Sequence, residues 1–135
     1  QYVQIMQFRF RNRFEYRNEI DESFYSVSLP PFSLQPLIEN AIIHGCKGTD
    51  APLHITVSVR KTEVALEVSV EDDGIGMTPE KLDELRMRMK KEKGKGLGLY
   101  NVQRRIHILF GVEYGLEIQS EYLKGTKMTI RLPKG

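Results

Sequence analysis

Asp72-Asp73-Gly74-Ile75-Gly76 puts carboxylates beside flexible backbone, directly after an alternating apolar run that reads as a central strand. A carboxylate so placed can accept a hydrogen bond from an exocyclic amine, and the glycines let a flat ring approach the main chain. That geometry suits a purine, although the same run also suits an ordinary acidic turn. A calcium loop does not fit, because counting back from either glycine puts Ser69 or Ile75 where Asp or Asn is required.

Gly94-Lys95-Gly96-Leu97-Gly98-Leu99 sets alternate glycines just ahead of a helical pattern. Successive backbone N–H groups and a helix N-terminus can hold phosphate oxygens, which fits a triphosphate, while a flexible linker has the same composition. No Gly-Lys-Ser/Thr follows a four-residue gap, and Leu99 stands where a dinucleotide fingerprint needs its third glycine. In Glu39-Asn40-Ala41-Ile42-Ile43-His44, Asn40 falls at the edge of an apolar helix face, where its amide oxygen can reach a magnesium ion. His44 lies a turn further on the same side. Local hydrogen bonding by Asn40 and a surface His44 favoured by the helix dipole account for the same pair. Arg86, Arg88, Lys90, Lys91, Lys93 and Lys95 against Glu92 form a basic stretch that could close over a polyanion or simply line a solvated helix face.

Elements must hold these groups. Gln1 to Arg13 could end a helix entering the domain, and Phe14 to Val27 reads as two short strands turning at Asp21-Glu22-Ser23. Past Pro30-Pro31, Ser33 can cap a helix carrying Leu34, Leu37, Ile38, Ala41 and Ile42 and ending at Gly45. His54 to Arg60 and Val64 to Val70 alternate as antiparallel strands. Thr78-Pro79 caps a helix to about Lys90, and Leu99, Val102, Ile106, Leu109 and Phe110 share one face of a helix closed by Gly111. Leu116 to Tyr122 and Thr126 to Leu132 form a hairpin around Lys124-Gly125. Clustered strands predict an α+β two-layer sandwich, with a mixed, mostly antiparallel sheet covered on one face by helices.

The 135 residues are 40% apolar and 28% charged, which suits one compact domain, residues 1–135. A net charge of +2 argues for no nucleic-acid partner, and the one cysteine, Cys46, excludes an internal disulfide or a Cys-rich zinc site. No apolar run approaches a membrane span of about 18 residues, and the start is not a signal peptide. The chain opens at Gln1 within a structured pattern, so it is expected to be a fragment of something longer.

In this order, helix Asn40, then Asp72-x-Gly74-x-Gly76, then a basic lid, then Gly96-Leu97-Gly98-Leu99, the sequence resembles the Bergerat ATP-binding fold of the GHKL superfamily, shared by gyrase, the heat-shock 90 chaperones, MutL and histidine kinases. Within it, the chain looks most like the catalytic domain of LytS/YesM-type sensor histidine kinases. The residues that carry this are Arg9-Phe10, Arg13-Phe14, Pro30-Pro31-Phe32-Ser33-Leu34-Gln35-Pro36-Leu37-Ile38-Glu39-Asn40-Ala41-Ile42 with His44-Gly45, and Gly98-Leu99-Tyr100-Asn101-Val102-Gln103-Arg104-Arg105.

The resemblance implies ATP and Mg2+ as ligands. Asp72 would accept the adenine amino group with Thr126 assisting, and Gly74, Gly76 and Met77 would shape the adenine pocket. Asn40 would hold magnesium, Gly96, Leu97, Gly98 and Leu99 would cradle the phosphates, and His44 or Lys95 would supply a cation. The γ-phosphoryl group would pass to a histidine on an upstream dimerisation domain, and then to a response regulator. That domain would make the full-length protein a homodimer, and the chain would be the cytoplasmic part of a bacterial inner-membrane sensor. No histidine precedes His44, so the acceptor is expected outside this chain.

Three departures stand out. Ile43 replaces a lysine that many relatives carry, Pro36 stands where gyrase-type ATPases place a water-activating glutamate, and a phenylalanine-rich motif between the glycine boxes is missing. A serine kinase of the anti-sigma-factor type and a non-catalytic nucleotide-binding module are the alternatives.

Overall fold

The structure is a computed structural model that describes residues 14–19, 34–45, 53–90 and 98–133. Its elements are β1 (Phe14–Glu19), α1 (Leu34–Gly45), β2 (Leu53–Lys61), β3 (Leu66–Asp72), α2 (Pro79–Lys90), α3 (Gly98–Phe110), β4 (Gly115–Glu121) and β5 (Gly125–Leu132). The strands form a five-stranded sheet in the order β1-β2-β3-β5-β4. Only β1 and β2 run parallel; β2–β3, β3–β5 and β4–β5 are antiparallel. The α+β sandwich with a mixed sheet is therefore the observed architecture.

Register explains which face is covered. Val57, Val70 and Met128 are paired across three strands, as are Val59, Val68 and Ile130, and Ile118 continues the Met128 row on β4. Since side chains two apart share a face, these rows make one apolar surface. Leu37, Ile38, Ala41 and Ile42 from α1, Leu82 and Met89 from α2, and Leu99, Val102 and Ile106 from α3 bury against it. Each large aliphatic side chain so buried contributes about 1.5–3 kcal/mol from area removed from water. The opposite face is polar: Ser69 and Thr129 hydroxyls meet at 3.1 Å, and Arg60 binds Glu67 at 2.7 Å.

Helix boundaries follow local chemistry. Pro36 is tolerated in the first turn of α1, where backbone N–H groups have no helical partner. Thr78 caps α2, its hydroxyl accepting from Lys81 N at 3.3 Å. Gly111, at φ 105°, closes α3.

Two sequence expectations need correction. Val64 lies in the bend before β3 rather than in the strand and is exposed, because Thr62 organises a turn with Ala65. Leu109 and Phe110 are not on the buried face of α3; they are 55% and 36% exposed, so burial along this face stops at Ile106. The first strand expected between Phe14 and Val27 is present as β1 and pairs in parallel with β2. The second expected strand, the N-terminal helix, Cys46 and the 91–97 loop fall outside the described residues.

Candidate functional site

A cavity of about 380 Å³ opens where α1, the loop after β3, α2 and the β4–β5 hairpin converge. Asp72, Thr126, Asn40, His44, Met77 and Gly76 line it, so six residues singled out in the sequence come together. A second hollow of about 370 Å³ lies between α2, α3 and β4. There the Arg86 guanidinium donates to Ile118 O at 2.5 Å and the Gln103 amide oxygen accepts from Leu116 N at 3.4 Å. Those bonds occupy backbone groups of edge strand β4, which makes this hollow a feature of edge protection.

Asp72 is the last residue of β3 and is 7% exposed. Burial pushes its carboxyl up to about 6, partly opposed by backbone N–H bonds from Gly74 and Thr126 and reinforced by the Asp73 and Glu71 charges. The Gly74 bond is 2.9 Å long. A carboxylate has more acceptor sites than these two donors fill, so Asp72 can still accept from a group in the cavity. Asp73 does something else: its carboxylate binds the backbone and ring nitrogens of His54, each at 2.7 Å.

The glycines divide by role. A Cβ on Gly76, which sits at φ 68°, would come within 2.1 Å of Glu121 O. Only glycine permits that approach of the loop to the hairpin. Gly74 is not in the cavity wall, contrary to expectation. A Cβ there would lie 2.5 Å from Gly45 Cα, so the residue packs the loop onto the C-terminus of α1 and thereby sets Asp72 against the helix of Asn40 and His44.

Asn40 is half-buried, with its amide nitrogen turned to Met128 Sδ at 4.0 Å. The amide oxygen is the atom a cation would take. His44, one turn on, is exposed at the cavity mouth. Lys95, Gly96 and Leu97 fall outside the described residues. Gly98 begins α3 against Pro36 of α1, and Leu99 puts its side chain in the core, so neither residue lines the cavity.

Of the basic stretch singled out in the sequence, Arg88 reaches the cavity, but the rest of the wall made by α2 was missed. Thr78, Lys81, Leu85 and Arg88 recur at helical spacing and line the cavity together, bringing two cations to it. The signal was present as a three-and-four periodicity of mixed type. Tyr122 and Ile75 complete the hairpin side.

This cavity joins a buried acceptor at a strand end to a helix amide and cations, within a sheet covered on one face. Residues 33–135 match the family of histidine kinase-, DNA gyrase B- and HSP90-like ATPases. The chain belongs to that family. It is 36% identical over 132 residues to the sensor histidine kinase YesM of Bacillus subtilis, an alignment covering 98% of this chain and 22% of YesM. It is 37% identical over 133 residues to the sensor protein LytS of Staphylococcus saprophyticus, again covering 98% of this chain and 22% of that protein. The chain thus spans about a fifth of the length of these curated relatives. Among solved structures, the histidine kinase domain of the Erythrobacter litoralis EL346 blue-light activated histidine kinase superimposes with TM-score 0.65 at 18% identity, covering 97% of this chain and 56% of that one. The catalytic domain of histidine kinase ThkA does so with TM-score 0.65 at 15% identity, covering 98% and 86%. At such identities the likeness is one of fold. Membership in this ATPase family implies that the chain binds ATP.

Proposed function

We propose that residues 1–135 form one ATP-binding catalytic domain of a LytS/YesM-type sensor histidine kinase, which supplies the γ-phosphoryl group for a histidine on an upstream dimerisation domain. The observation that carries this reading is the buried Asp72 carboxylate facing the same cavity as Asn40. In it, Asp72 accepts from the adenine amino group, Thr126 stands beside it, and Gly76 and Met77 shape the ring's slot.

The donor set fits a magnesium nucleotide. Among the described residues no group of three or more His, Cys, Asp or Glu could hold a metal by itself. Mg2+ commonly takes one or two protein oxygens and completes its shell with phosphates and water, and the Asn40 oxygen is suited to that share. When bound, the ion neutralises phosphate charge. Lys81, Arg88 and His44 place further positive charge or N–H donors at the cavity, in the role vacated by Ile43. The backbone of Gly96-Leu97-Gly98-Leu99 at the start of α3 would hold phosphate oxygens. Phosphoryl transfer depends mainly on positioning and electrostatic stabilisation, so these binding residues are the chain's contribution to the chemistry.

Among the described residues no helix is long and apolar enough to cross a membrane. Attachment to a bacterial inner membrane, dimerisation of the full-length protein and onward transfer to a response regulator complete the proposal and belong to the rest of such a protein.

Calorimetric titration with a non-hydrolysable ATP analogue, with and without magnesium and beside its GTP counterpart, tests the site. Selective, magnesium-sensitive adenine nucleotide binding is expected; folded protein that binds neither overturns the reading. Labelled ATP with a separately prepared acceptor domain then tests the transfer. An acid-labile phosphohistidine is expected, whereas acid-stable phosphoserine would place the chain with the serine kinases and no label would make it a binding module.

A further inference from the structure

Ser120 lies on β4, opposite Thr126 of β5, and Thr126 in turn is opposite Asp72 of β3. The three side chains therefore stand in one row on the covered face of the sheet, at the end where the cavity opens. Thr126 and Asp72 line the cavity, and Ser120 stands behind Thr126.

The protons in this row can be assigned by elimination. Ser120 Oγ lies 3.0 Å from Gly125 O and 2.8 Å from Thr126 Oγ1, and it receives the Met77 N–H at 2.8 Å. Two oxygens at such distances need a proton between them, and a carbonyl oxygen has none. The single Ser120 proton must then lie toward Gly125 O. The contact between the hydroxyls takes its proton from Thr126.

We infer that Ser120 is a specificity-determining positioning residue: by holding the Thr126 proton, it leaves Thr126 Oγ1 as an acceptor beside the Asp72 carboxylate, so that the base end of the cavity accepts an amino group and rejects a carbonyl oxygen. The inference rests on the nucleotide reading above and deepens it. An exocyclic amine carries two N–H donors, one for each acceptor, directly or through water. A 6-oxo purine sets an oxygen against two acceptors, which leaves buried polar groups unpaired, the most effective basis for rejection.

Ser120 also ties down the loop, since the Met77 N–H bond adds to Leu123 N donating to Ile75 O at 2.6 Å. A purely structural role would affect every purine nucleotide equally, whereas proton orientation changes a ratio. The test is calorimetric titration of wild type, Ser120→Ala, Thr126→Val and the double variant with a non-hydrolysable ATP analogue and the matching inosine nucleotide, which carries oxygen in place of the 6-amino group. Folding is checked by circular dichroism.

Wild type is expected to prefer the adenine nucleotide by about 100-fold and S120A by about tenfold, because the freed Thr126 hydroxyl can turn and donate to the 6-oxygen. In the T126V background, S120A should leave the ratio unchanged, as no hydroxyl remains to orient. An equal loss for both nucleotides in S120A, or an S120A effect on the ratio that persists beside T126V, overturns the inference while the nucleotide site stands. Should S120A not fold, a T126V ratio equal to wild type overturns it as well. Folded wild type that binds neither nucleotide overturns the site and the inference together.

Discussion

The two ends of the cavity are built differently. At the Asp72 end, position is set by main chain and short side chains: Gly74 against Gly45, Gly76 against Glu121 O, and Gly125 so close to β3 that a Cβ would come within 2.0 Å of Asp72 O. The hydroxyls of Ser120 and Thr126 close the network. At the other end stand the exposed Lys81, Arg88 and His44, with Asn40 half-buried beside them. Long exposed cations lose rotamer freedom when they engage a ligand, while preformed backbone walls have already lost theirs in folding. The base end therefore supplies selectivity at little further cost, and the cationic end supplies charge that becomes ordered with the ligand.

The contrast is broken most severely at Asp72. Replacement by Asn retains the acceptor for Gly74 N but brings an N–H donor toward the cavity, and adenine nucleotide affinity should fall about 100-fold, read by calorimetry on protein that still melts cooperatively. Unchanged affinity would remove Asp72 from the site. The same variant carries a second signature with the opposite sense. The folded-state value of about 6 lies above the ordinary carboxylate value of 3.8, so between these pH values the native state holds more protons than the unfolded one. This group's contribution to stability therefore rises as pH falls from about 6 toward 3.8, and its cost is fully present above 6. Without ligand, D72N should melt several degrees above wild type at pH 7.5, and the gap should shrink to about a third by pH 4.5 and close only below about pH 3.8. A gap that does not depend on pH would contradict the burial assigned to Asp72.

How much was legible in the sequence follows the same division. Asp72, Gly76 and His44 could be placed because each lies at or beside the end of an element whose period is plain in the chain, and Asn40 because it edges the apolar face of α1, whereas Met77 and Thr126 rested on the family resemblance alone. The role of Gly74 was not legible: its packing on Gly45 depends on two segments distant in sequence meeting without side chains. Ser120 was equally hidden, because its tie to Thr126 is a cross-strand register set by the turn between Glu121 and Gly125. For α2 the obstacle was orientation. Its apolar residues do not dominate, so which mixed face turns inward depends on where the sheet leaves room for Leu82 and Met89. Leu109 and Phe110 show the converse, with an apolar periodicity that continues past Ile106, the last buried residue of α3.

The cationic end should respond more gently and in a way that reads charge. Asn40→Ala removes the half-buried amide oxygen offered there. The gain in nucleotide affinity on adding magnesium should shrink about tenfold, with magnesium-free affinity nearly unchanged. An identical magnesium dependence would reject that role.

Lys81→Ala and Arg88→Ala should have the smallest effects, about threefold each on ATP analogue affinity, because exposed ion pairs in water are worth about 0.2–1 kcal/mol. Their diagnostic is selectivity among ligands rather than magnitude. If these side chains engage phosphate, the loss should be greater for a triphosphate than for adenosine and should shrink as salt rises, since exposed charges are screened within about 10 Å at 0.1 M. If they instead hold α2 against the loop, adenosine and triphosphate would weaken together and salt would not matter. The double variant would then move toward the behaviour of the base end, and the division between a preformed half and a charge-ordered half of the cavity would have to be withdrawn.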